Sequence, residues 1–223
     1  ANQTTNLGNL TWTVPHQGAS IVWQIGIPDR TAAEYRHGDE YAKPDLWGNF
    51  TNEFSNPLEY NVADNNWATA LNYVHSVDNV GASPWKWHLN FNLTSVISGT
   101  YWLNIAYAAP SSIQVIHVND DSTVFTTFTP ANADPGATTY IRQGIHSKYS
   151  VAHIAIPSSK LHVGSNTITL DHEYHSTHAT ACFMYDYIDF EAPAPAPPPP
   201  DSGRSITWSG SPPASIWDNG ATS

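Results

Sequence analysis

Trp85-Lys-Trp-His-Leu-Asn-Phe-Asn-Leu93 decides the fold. Trp85, Trp87, Leu89, Phe91 and Leu93 fall on one face of an extended chain, and Lys86, His88, Asn90 and Asn92 on the other. Strict period-2 alternation over nine residues is the pattern of a strand with one buried face. Outward from it, Tyr101–Ala106, Ile113–Val118, Ser122–Thr127, Val151–Ile156, Thr167–Leu170 and Phe183–Glu191 read as further strands. Gly99, Asn119-Asp120-Asp121 and Gly164-Ser165-Asn166 supply turns between them. The 17 prolines and frequent Asn argue against long helices,. One short helical turn is expected over Thr31–Arg36, with Thr31 as its N-cap and Glu34 three residues on. About eight to ten short antiparallel strands fit an all-β fold: a sandwich, a jelly roll or an up-and-down barrel.

The chain has 223 residues, enough for one sizeable core,. Its longest early apolar stretch, Ile21 to Ile27, is interrupted by Gln24 and Gly26, so no segment reads as membrane-spanning. Only 8 Lys and Arg face 19 Asp and Glu, a formal net charge of −11. Without a basic field, nucleic acid and anionic lipid are excluded as partners. Charged residues make up 12% of the chain, about half the usual share. Asn, Thr, Ser, Trp and Tyr carry the surface instead, as on a sugar-binding protein or any extracellular β-sandwich. Cys182 is the single cysteine, which rules out an intrachain disulfide and a Cys-based zinc site,. Its apolar neighbours read as core.

Three segments are expected. Residues 1–191 form the β domain. Residues 192–204, opening Ala192-Pro-Ala-Pro-Ala-Pro-Pro-Pro-Pro200, form a stiff Pro-rich linker. Residues 205–223 read as the truncated start of a second β module, since about 20 residues cannot build a core. The chain opens at Ala1 without a basic-then-apolar leader and reads as a processed, secreted product.

A long motif then carries a resemblance. Val22-Trp-Gln-Ile-Gly-Ile-Pro-Asp-Arg-Thr-Ala-Ala-Glu-Tyr-Arg-His-Gly-Asp39 resembles the entry motif of the third domain of family 4 polysaccharide lyases, the rhamnogalacturonan lyases. Pro84–Phe91, Thr139–Tyr149, Leu161–Leu170 and Met184–Phe190 resemble later motifs of that domain, in the same order. Ser147 departs from the pattern, standing where the family has a second small Gly. The resemblance implies a carbohydrate-binding-module-like jelly roll. It also implies that the catalytic Lys and His of the family's first domain have no counterpart here, so no catalytic residue is assigned. The expected function is a non-catalytic module targeting a linked enzyme to rhamnogalacturonan or a related pectic polysaccharide. The expected partners are that polysaccharide and neighbouring domains of the same protein.

Sugar faces pack on aromatic rings, and uronates are drawn to cations. Loop aromatics Trp47 and Trp67 are therefore candidate platforms, whereas Trp85 and Trp87 read as core. Arg142, His146, Lys148 and Tyr149 form a locally basic spot, suited either to a galacturonate carboxylate or to docking a neighbouring domain. Arg30 and Arg36 sit among Asp29, Glu34, His37 and Asp39, where they either lock the loop through ion pairs or contact sugar. Asp186, Asp189 and Glu191 are hard oxygen ligands for a structural calcium. His172, Tyr174, His175 and His178 leave three readings open: a polar hairpin loop, a metal site at His172, His175 and His178, or the catalytic site of a single-domain lyase or metal-dependent glycan-active enzyme. A structural domain bracing a catalytic neighbour is a further alternative.

Overall fold

The alternation around Trp87 has the fold built on it. The computed structural model describes residues 15–40, 50–76, 85–110, 113–129, 149–172 and 182–195. Among them are strands β1 (Ser20–Gly26), β2 (Leu58–Asn61), β3 (Val74–Ser76), β4 (Trp85–Leu93), β5 (Thr100–Pro110), β6 (Gln114–Val118), β7 (Thr126–Phe128), β8 (Ser150–Pro157), β9 (Gly164–His172) and β10 (Cys182–Ala192). Two short helices, α1 (Phe50–Glu53) and α2 (Trp67–Ala70), lie between the early strands.

The strands form two sheets. The first runs β1-β10-β5-β8, with β3 beside β1 along the same edge of β10. The second runs β2-β4-β9-β6-β7. Every pairing is antiparallel except that of β2 with β4. The inward face of β4 packs on the first sheet: Trp87 lies 4.9 Å from Tyr185, and Phe91 lies 5.2 Å from Phe190 and 5.7 Å from Trp23, centroid to centroid. Tilted ring pairs at these spacings add to simple area burial. The expected all-β sandwich is the observed one.

β10 holds the first sheet together, and its inward parity changes midway. Phe183 and Tyr185 face the core at one end, Ile188 and Phe190 at the other, and all four are fully buried. The register shows how. Tyr185 pairs Tyr107 and Tyr187 pairs Ala106, leaving Asp186 as the extra residue of a β-bulge,. The bulge turns Asp186 toward the loop that follows β1, which matters for the site below.

A buried polar chain joins the sheets. Tyr107 donates its hydroxyl hydrogen to Gln114 Oε1, and Gln114 Nε2 donates to the Tyr185 hydroxyl at 2.6 Å. All three side chains are fully buried, so each polar atom here must find its partner inside the protein.

The structure alters several expectations. Strand β7 begins at Thr126, not Ser122. Asp120 draws the backbone into a turn by accepting from the Ser122 N–H at 2.9 Å and from the Thr123 hydroxyl at 2.7 Å, a local bond that competes with extended pairing. Thr31–Arg36 contains no helix. Thr31 Oγ1 accepts from the Ala33 N–H at 3.2 Å, but Glu34 reaches back to the Ile27 N–H at 3.0 Å, so no capping box closes. β1, β2 and β3 were not read as strands. β1 is an edge strand whose register shifts between Ile21 and Trp23, so its alternation is broken. The linker from residue 196 and the segment 205–223 lie outside the described residues.

Candidate functional site

Strand register assembles a pocket on the outer face of the first sheet. His153 pairs Asn104, Asn104 pairs Asp189, and Asp189 pairs Gln24, giving one polar row across β8, β5, β10 and β1. The next row is Val151, Ala106, Tyr187 and Gly26. Residues opposite one another on one face are close neighbours, so the small Ala106 between Val151 and Tyr187 leaves a depression. Gly26 ends the second row with φ of +82°, and a Cβ there would meet the Asp186 carbonyl oxygen at 2.1 Å. Only glycine fits both demands.

The pocket has a volume of about 520 Å³. His153, Asn104 and Asp189 of the first row and Val151, Ala106 and Tyr187 of the second floor it, the loop Pro28-Asp29-Arg30 and Tyr149 form one rim, and Pro15 and Gln17 another. Asp186 builds the first rim. Its carboxylate accepts the N–H groups of Asp29 at 3.1 Å and Arg30 at 2.8 Å, and the Tyr149 hydroxyl at 3.0 Å. Successive N–H groups around one anion form a nest, and this one holds Arg30 at a left-handed φ of 74°. The Arg30 guanidinium then lies 5.0 Å from the centroid of the Tyr149 ring, a cation–π pair facing solvent.

The hydrogen bonds on the floor have one consistent direction. Asn104 Nδ2 donates to Asp189 Oδ1 at 2.6 Å, which turns Asn104 Oδ1 to His153 Nδ1 at 2.7 Å. His153 therefore carries a hydrogen on Nδ1, and in the neutral ring Nε2 is the acceptor. The Tyr187 hydroxyl donates to Gln24 Oε1 at 3.4 Å and also interacts with Asp189.

Burial sets the electrostatics beneath the rim. It pushes the Glu34 carboxyl up to about 7 and Asp186 to about 6, against the hydrogen bonds they accept. Burial likewise raises Asp189. It would raise Glu191 too, but the N–H of Gly18, the His16 ring and the N–H of Gln17 outweigh it and hold that carboxyl low. Elsewhere, bonds from Ser122 and Thr123 hold Asp120 at about 2. A carboxyl raised by folding favours the protonated state, so its contribution is greatest at acid pH and is lost as pH rises toward the folded value. Glu34 and Asp186 thus weaken the fold between about pH 4 and 7, while Asp120 and Glu191 protect it until pH falls below about 4. Thermal unfolding should show a higher Tm at about pH 5 than at about pH 7.5, with the slope reduced in Glu34→Gln. A Tm that climbs over that interval would contradict the assignment.

The other sequence candidates are placed as follows. Arg30 and Tyr149 are brought together at the rim. Arg36 is not: its guanidinium pairs Glu53, donates to the Thr69 carbonyl at 3.3 Å and lies over the Phe54 ring, locking α1 against α2. Trp67 opens α2, not a loop, and packs partly buried 5.2 Å from Tyr35. The expected calcium ligands do not converge. Asp189 and Glu191 group with His16, and Asp186 with Asp29 and Glu34. Asp186 and Glu191 are each met by N–H or hydroxyl donors of the protein. His172 is fully buried, its ring centroid 5.1 Å from that of Phe183 in an edge-on pair. Trp47, Arg142, His146, Lys148, His175 and His178 lie outside the described residues. Sequence reasoning missed Asn104, His153 and Val151, because they meet only through register.

A second recess of about 450 Å³ lies on the outer face of the second sheet. Its groups largely engage each other: His88 bridges Glu59 at 2.7 Å and Asp121 at 2.8 Å, and Asn90 donates to Glu59 at 2.8 Å. No Trp, Tyr or Phe among the described residues lines it. No helix among the described residues is long and apolar enough to cross a membrane.

A two-sheet β-sandwich with a partly apolar pocket on one sheet fits the class of carbohydrate-binding-module-like domains. Within that class, the chain belongs to the CBM-like family of polysaccharide lyase family 4, domain III, whose model matches residues 21–190. It is 29% identical to the rhamnogalacturonate lyase of Dickeya dadantii over 175 residues, covering 75% of this chain and 27% of that protein. It is 24% identical to the probable rhamnogalacturonate lyase B of Aspergillus fumigatus, covering 81% of this chain and 34% of that one. The chain thus spans about a third or less of these relatives. Among solved structures, a family 35 carbohydrate-binding module from an environmental isolate superposes with a TM-score of 0.34 and 20% identity, over 55% of this chain and 79% of that one.

Proposed function

We propose that this chain is a non-catalytic carbohydrate-binding module that holds a linked, exported enzyme on rhamnogalacturonan or a related pectic polysaccharide. The observation that carries the reading is the pocket over Ala106. It offers apolar surface at Val151, Ala106, Pro28 and the Tyr149 ring, and hydrogen-bonding groups at His153, Asn104 and Tyr187. Apolar walls with a few placed polar groups are the usual make-up of a small-molecule site. Family membership supports the same reading, and the curated relatives support the choice of pectic polymer. One pocket of this size gives modest affinity, which tethering to an enzyme raises through effective concentration.

Affinity electrophoresis of the full chain against rhamnogalacturonan, homogalacturonan, galactan, arabinan and cellulose tests the reading. Retention by rhamnogalacturonan is expected, with no growth of the ultraviolet absorbance of unsaturated uronate. Growth of that absorbance would make the chain a lyase. Absence of retention on every polymer would leave a domain that only braces a catalytic neighbour.

A further inference from the structure

Building on the carbohydrate-binding reading, we propose that the pocket over Ala106 takes an uncharged sugar ring and excludes a uronate, so that an acidic polymer binds with a neutral residue inside and a carboxylate outside, at Arg30. The argument is one of donors and acceptors. Sugar hydroxyls both donate and accept, whereas an ionised carboxylate only accepts. The floor is rich in acceptors. The hydrogen-bond chain from His153 Nδ1 through Asn104 to Asp189 spends the Asn104 donor inward and leaves His153 Nε2 as an acceptor. The Tyr187 hydroxyl hydrogen is spent inward, on Gln24 Oε1 at 3.4 Å or on Asp189. A uronate on this floor would find its own kind of group.

Charge adds to this. Asp189, 1% exposed, lies beneath the floor, and Asp29 lines the rim. Asp186 stands behind that rim. Among the described residues, Arg30 is the one Lys or Arg lining the pocket, and it sits over the Tyr149 ring at the mouth. Like charges brought together where water is thin repel far more than in bulk solvent. The walls suit a neutral ring, because Ala106, Val151 and Pro28 present only carbon to it. Arg30, solvent-facing, remains available to a carboxylate on the next residue of the polymer.

The test uses the full chain and amide chemical shifts. Methyl α-rhamnoside, methyl β-galactoside and sodium methyl galacturonoside are titrated separately, and each is then used to displace a rhamnogalacturonan oligosaccharide. At least one neutral glycoside is expected to shift the amides of Asn104, Val151 and Tyr187 and to bind at least about tenfold tighter than the uronate. Asp189→Asn should narrow that ratio several-fold. His153→Ala, an exposed change that spares the core, should weaken the neutral glycoside about fivefold. Galacturonoside binding as tightly as the neutral sugars, or failure of both to compete while the polymer is still retained, overturns the proposal but leaves the carbohydrate-binding reading standing. If no polymer is retained, that reading falls, and the proposal with it.

Discussion

Replacing Val151 with Trp should abolish retention by pectic polymer, weakening binding by about 50-fold or more, while shifting Tm by no more than about 2 °C. Val151 is 40% exposed and stands beside Ala106 in the second row of the pocket. Its side chain points away from the core, which the neighbouring Ala152 and Ile154 serve from the other face of β8. An indole there fills the depression that Ala106 leaves. Trp suits a strand, so backbone pairing with β5 is preserved. Val163→Trp is the matched control: it is 67% exposed, does not line the pocket, and should leave binding intact. Affinity electrophoresis with parallel thermal melts reads both variants. A Val151→Trp protein that binds normally would move the site off this face.

Asp186→Ala should cost both stability and binding. Asp186 is fully buried at the bulge of β10 and accepts the N–H groups of Asp29 and Arg30 and the Tyr149 hydroxyl. Truncation leaves three donors without an acceptor, and unmet buried groups are the expensive outcome. The expected loss is about 3 kcal/mol, or a Tm lower by about 6–12 °C for a domain of this size. The loop at Asp29 and Arg30 would also lose the nest that fixes its left-handed backbone, so the rim and its cation–π pair should loosen and polymer binding fall with stability. Asp186→Asn keeps one acceptor oxygen and should lie between wild type and Ala on both scales. Denaturant unfolding separates the two effects. An Ala variant as stable as wild type would mean that the loop holds itself.

Alternation was most legible where it is uninterrupted. Residues 85–93 were read to the residue, because each inward side chain is large and each outward one polar. β8 was found for the same reason, and β9 and β10 were found despite broken alternation, with ends moved by a few positions. β1 hid behind its own register shift. β2 was hard to see because it is four residues long and pairs β4 in parallel, which no local turn announces. The pocket was harder still. Its polar row draws Gln24, Asn104, His153 and Asp189 from four strands, and no spacing along the chain relates them. What the sequence did expose was the chemistry of the rim: Arg30 and Tyr149 stood out as a cation and a ring in a chain poor in cations. Trp67, read as a loop ring, opens α2 and is spent on packing against Tyr35. Arg36 followed the same logic, with Glu53 and the Thr69 carbonyl within reach.

The central claim is that glycan binds on the outer face of the first sheet. The most direct measurement is a titration of the isotope-labelled chain with rhamnogalacturonan oligosaccharide, mapped on backbone amides. The predicted result is saturable shifts clustered at Asn104, Ala106, Val151, His153, Tyr187 and Arg30, with the second sheet unmoved. Shifts clustered instead at Glu59, His88 and Asn119, on the recess of the second sheet, would contradict it.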